Sequence, residues 1–148
     1  MTARDILMYV RFVTPLRDGM TGAETGFFRA SWYLRRVGCP GWIHRELDQQ
    51  FHWFNRHLPV PDRVARHFKR RNSIYGVCWF QPDARECIER ARYCAWLIGE
   101  GGIPVEPIKL RGPREVIWHD AHQAVIRPSR DIPLAFGRGR FRERAPAH

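Results

Sequence analysis

The apolar positions of this chain recur with two periods, and the switches between them lay out its elements. Residues 6–13 are apolar apart from Arg11 and rich in β-formers, which predicts a largely buried strand ended by Thr14-Pro15. Beyond the turn at Asp18-Gly19, Thr21 and Glu24 stand in the S/T-x-x-E spacing of a capping box. A helix is expected from there to about Val37, with Phe27, Ala30, Leu34 and Val37 inward, Arg29, Arg35 and Arg36 off that face, and Gly38 as its stop. Pro40-Gly41 opens a second helix. Its stripe is Ile43, Leu47, Phe51, Phe54 and Leu58, and it must end before Pro59, because proline disfavours helix in the preceding residue.

Pro59-Val60-Pro61-Asp62 reads as an extended step into a short third helix, with Val64 and Phe68 inward and Arg63, Arg66, Lys69, Arg70 and Arg71 outside. Residues 74–80 predict a second strand. Pro82-Asp83 then opens a helix that buries Ala84, Cys87, Ile88, Ala91, Ala95 and Ile98 and closes at Gly101-Gly102. Residues 105–110 predict a strand near an edge, since Pro107 cannot donate to a ladder, and residues 115–119 and 123–127 predict a hairpin about Asp120-Ala121-His122. From Ser129 the pattern lapses. The expectation is a single α/β (mixed α+β) domain over residues 1–128, with a four- or five-stranded mixed sheet, helices on at least one face, and the order β-α-α-(α)-β-α-β-β-β. Long connections favour some parallel pairing through right-handed crossovers. Residues 129–148 are expected to form an Arg-rich mobile tail.

The segment Trp53-Phe54-Asn55-Arg56-His57-Leu58-Pro59-Val60-Pro61-Asp62-Arg63, with Cys78-Trp79-Phe80 before a helix and Gly102-Ile103-Pro104-Val105 after it, resembles a set of small uncharacterised bacterial proteins. The likeness covers about residues 9–128. It implies a discrete bacterial domain and transfers no site residue.

With 148 residues, 44% of them hydrophobic, the chain can bury a core without disulfides or metal, which excludes a wholly disordered protein. Charge changes the picture more. There are 25 basic residues against 15 acidic, a net charge of +10, and between Arg56 and Arg71 the basic side chains Arg56, Arg63, Arg66, Lys69, Arg70 and Arg71 face one acid, Asp62. Arg138, Arg140, Arg142 and Arg144 alternate through the tail. Dense positive charge with donors that fork onto phosphate oxygens suits backbone contact with nucleic acid, and a solvated helix face is the plainer alternative. All but Lys69 and Lys109 of the basic residues are Arg, which codon supply in a GC-rich genome also produces, so the argument rests on the sign of the charge.

The leading reading is a small basic, non-catalytic nucleic-acid-binding or accessory protein, DNA or RNA left open. Its contacts would be the six residues from Arg56 to Arg71 together with Arg138, Arg140 and Arg142. Tyr9, Tyr75, Trp79 and Phe80 could offer stacking rings on a sheet. The run Tyr75 to Phe80 echoes an RNA-reading strand motif but departs from it at Val77 and Ile74, and core packing is the better explanation. The alternative reading is a protein-interaction module or self-associating subunit. It rests on Phe28, Trp32, Trp42 and Trp53, which flank the buried stripes of the first two helices.

An enzyme comes third. Cys39, Cys78, Cys87 and Cys94 form no C-x-x-C pair and read as buried thiols. His119, Asp120 and His122 cluster at a hairpin tip with no visible supporting ligands, and Gly101-Gly102 follows a helix rather than a strand. No cofactor or metal is implied. Nor does any stretch approach the roughly 20 apolar residues of a membrane span, or read as a secretory signal, so the cytoplasm is the expected compartment.

Overall fold

The computed structural model describes residues 8–17, 24–58, 77–112, 114–127 and 129–137. The elements are β1 (Met8–Arg17), β2 (Glu24–Gly26), α1 (Phe27–Val37), α2 (Gly41–His57), β3 (Val77–Phe80), α3 (Arg85–Glu100), β4 (Glu106–Arg111), β5 (Val116–His119) and β6 (Gln123–Ile126). The class is the expected one, helices packed on a sheet. The short helix expected over residues 61–71 lies outside the described residues.

Two details of the sheet differ from expectation. It has six strands, neighbours running β2-β1-β3-β6-β5 with β4 also paired to β1, and every described pairing is antiparallel. The reason lies in β1. Val10 pairs with both Phe80 of β3 and Lys109 of β4, so β3 and β4 run the same way on either side of a strand that runs against them. The crossover through α3 therefore exists as a split β-α-β unit, and β1 turns its would-be parallel pair into two antiparallel ones.

Period-two alternation in β1 builds two cores. Val10, Phe12 and Leu16 face the helices and meet Phe27, Ala30 and Leu34 of α1, Ile43, Leu47, Phe51 and Phe54 of α2, and Cys87, Ala91, Cys94, Leu97 and Ile98 of α3. Tyr9 and Val13 face the other way, among Trp79, Ile108, Leu110, Ala124 and Ile126. The rings of Tyr9, Trp79 and Phe80 are thus buried in the two cores, and Tyr75 lies outside the described residues. Val37, expected inward, is exposed in the last residue of α1.

Of the expected capping box, Thr21 lies outside the described residues and Glu24 does not open α1. Glu24 belongs to β2 and is buried, and its carboxylate accepts the backbone N–H groups of Ala135 (2.8 Å) and Phe136 (2.5 Å). A buried carboxylate needs charge-assisted partners, and these come from more than 100 residues away rather than from the next turn. α1 consequently begins only at Phe27, with Gly26 at its N-cap and no side-chain cap. The same contact moves the domain boundary. Residues 129–137, assigned by sequence to the tail, pack on the sheet through Ile132 and Phe136, and Arg114 pairs with Asp131 at 2.6 Å.

Candidate nucleic-acid interface

The buried stripe of α1 is Phe27, Ala30, Ser31 and Leu34, which leaves Phe28 and Trp32 one turn apart on the outside, 42% and 43% exposed. Phe28 rests on a floor of rings, its centroid 4.4 Å from Phe27, 4.9 Å from Phe51 and 5.4 Å from Phe54. Trp32 carries cations instead. The guanidinium carbons of Arg29 and Arg36 lie 5.0 and 4.6 Å from its ring centre, within cation-π range. α1 contains no acidic residue, and its third arginine, Arg35, turns to Asp48 of α2 at 2.7 Å. The outer face of α1 therefore combines two half-exposed rings with the positive charge of Arg29 and Arg36.

Beside Phe28 a cleft of about 250 Å³ opens between the places where β3 and β2 meet β1, the Val10–Phe80 and Val13–Gly26 pairings. Phe12, Phe28, Leu58, Cys78, Phe80 and Gln123 are among its lining residues. Cys78, read as a buried thiol, is reachable by solvent here. It donates to Gln123 Oε1 at 3.1 Å, and the crowding of the cleft walls pushes its thiol up to about 11, with Arg11 opposing that rise. Burial likewise pushes Cys94 up to about 12. Both shifts favour the protonated thiol at neutral pH, which disfavours nucleophilic chemistry there.

Leu58, in the cleft wall, immediately precedes the stretch that carries Arg63, Arg66, Lys69, Arg70 and Arg71. Glu24, two residues from Gly26 of the same wall, holds Ala135 and Phe136 just ahead of Arg138, Arg140 and Arg142. The described residues that border the two arginine-rich stretches, Leu58 at the end of α2 and Ala135–Phe136, thus lie near β2 and the start of α1. The basic residues of both stretches lie outside the described residues, while Arg56 is exposed in the last turn of α2. The described residues hold 15 basic and 11 acidic side chains, so +6 of the net +10 belongs to the remainder.

The aromatic side chains expected to anchor a partner separate into different settings. Trp53 is only partly exposed and stacks on the His57 ring at 4.1 Å and 13°, with the Arg90 guanidinium carbon 4.2 Å from its ring centre. Trp42, 43% exposed, stands apart from Phe28 and Trp32 in a second group with Trp96, 53% exposed, at 6.0 Å, and Tyr93 stacks on Trp96 at 6.1 Å. Trp96 and Tyr93 were not singled out by sequence reasoning, although both fall off the Cys87, Ala91 and Ile98 stripe of α3, and that was the signal available.

At the β5–β6 hairpin, Asp120 Oδ1 accepts the backbone N–H groups of His122 and Gln123, both at 2.8 Å, and Oδ2 accepts Gln123 Nε2 at 3.3 Å. Its carboxylate therefore shapes the turn, while His119 and His122 point to solvent. Among the described residues no group of three His, Cys, Asp or Glu could hold a metal ion, and no helix is long and apolar enough to cross a membrane. No protein-family model, curated protein or solved structure matches the chain.

Proposed function

We propose that this is a small, non-catalytic nucleic-acid-binding protein, on the strength of one observation: Leu58 and Ala135–Phe136, which border the two arginine-rich stretches, lie beside the start of α1, a helix with no acidic residue. Phosphate contacts from several such side chains release counterions, so affinity falls steeply with salt and depends little on sequence. The four free cysteines accord with a reducing, cytoplasmic setting. The test is a low-salt titration with labelled DNA and RNA. Reversing Arg66, Lys69 and Arg70 together to Glu should lower affinity by at least about a hundredfold without changing the melting temperature. Unchanged affinity in that variant overturns the proposal.

The exposed group of Trp42, Tyr93 and Trp96 favours a second reading, attachment to a protein partner, a second copy of this chain included. Sedimentation of the wild-type protein and of Trp96→Ala separates the two: association that this substitution abolishes supports it, and a monomer at high concentration rules out the second copy.

A further inference from the structure

Resting on the nucleic-acid reading above, we infer that the bound strand is single and that its bases lie on Phe28 and Trp32 of α1. In a duplex the base faces are already stacked on one another, and only unpaired strands can offer them to protein rings. Phe28 and Trp32 offer such rings at a spacing of one helical turn, about 6 Å at Cβ, which is within reach of neighbouring bases in an opened strand. Phe28 is held from beneath by Phe27, Phe51 and Phe54, so its position is fixed before a ligand arrives.

The arginines on Trp32 decide which occupant fits. An apolar protein surface laid on Trp32 would strip water from the exposed Arg36 guanidinium and offer it no acceptor. A nucleotide returns the cost. Its base takes the indole face, and its phosphate takes a guanidinium that leaves the ring, exchanging a weak exposed cation-π contact for a charge-assisted fork.

The experiment compares a labelled oligo(U) strand, an oligo(dT) strand and a DNA duplex of equal length at low salt, using wild type, Trp32→Ala, Trp32→Phe and the triple reversal of Arg66, Lys69 and Arg70. Trp32→Ala should weaken single-strand binding about tenfold. Duplex affinity and the salt slope should stay as they were, and Trp32→Phe should recover most of the loss. Trp32 is exposed, so an unchanged melting temperature confirms that the variant is folded. Single-strand affinity unmoved by Trp32→Ala, or reduced equally for duplex, overturns the inference. If the triple reversal still abolishes binding in that case, the charge reading stands alone, whereas a wild type that binds no nucleic acid overturns both.

Discussion

The helical layer shows solvent two aromatic groups of matching exposure, and they differ in what rests on them. Trp32 is bracketed by Arg29 and Arg36, whereas Trp96 is flanked by Trp42 and Tyr93. Covering the first group means desolvating cations, which a polyanion compensates and an apolar surface does not. Covering the second removes ring area from water, and the charge in contact there is the Glu46 carboxylate, which already accepts from the Tyr93 hydroxyl. Exposure alone therefore does not distinguish an anchor for nucleic acid from an anchor for protein; the neighbours of each ring do.

The comparison can be broken at its foundation. Phe27 is buried and touches the rings of Phe12, Phe28, Phe51, Phe54 and Phe80, so Phe27→Ala should cost about 3–5 kcal/mol in denaturant titration. Single-strand binding should fall with it, because Phe28 loses its floor. A cost below about 1 kcal/mol would show that the first group stands without this support.

A smaller effect is expected at Glu24, where replacement by Ala strands two backbone N–H groups and should cost about 1–3 kcal/mol. Truncation after residue 128 should lower the melting temperature below that of truncation after Gly137, through loss of Ile132 and Phe136. Equal stability of the two truncations would contradict the packing of residues 129–137.

Smaller still in stability are Trp42→Ala and Trp96→Ala, each within about 1 kcal/mol of wild type, since the first removes an exposed ring with one aromatic contact and the second an exposed ring with two. Neither should alter nucleic-acid affinity. If Trp96→Ala weakened single-strand binding as Trp32→Ala should, the distinction between the groups would vanish.

The finest probe is Cys78, which shares a cleft with Phe28. Alkylation should be slow at pH 8 and accelerate as pH approaches 11, and a bound single strand should slow it further. Because the folded-state value is raised, the thiol's contribution to stability is complete below the ordinary value of 9.0 and is lost as pH rises through about 11. Rapid thiolate chemistry at pH 8 would contradict the crowding of this cleft.

What the sequence made legible was local and periodic. Ile43, Leu47, Phe51 and Phe54 are spaced for one helix face and are all buried, and Pro40 and Leu58 flank that helix much as the proline punctuation required. The failures share a cause. Glu24 has a textually sound capping partner in Thr21, yet its carboxylate serves Ala135 and Phe136, a contact invisible to any short window. Pairing direction likewise depended on β1 entering between β3 and β4, which no connection length reveals. In the candidate site, Phe28, Trp32 and Trp42 were visible as rings off the buried stripes. The division of the aromatics into two groups, one capped by arginines and one completed by Trp96, required tertiary contacts.

The placement of β1 also bears on synthesis at the ribosome. β1 emerges first, but the strand along Met8 to Val13 is β4, roughly a hundred residues later, and its other core is closed by β6 later still. Throughout that interval a nascent chain presents β1 with its β4-facing edge unpaired and Tyr9 and Val13 uncovered, the kind of edge onto which a neighbouring chain adds. Productive folding therefore waits until nearly the whole domain has left the exit tunnel, and chaperone capture of the N-terminal strand should be longest in chains arrested before residue 106.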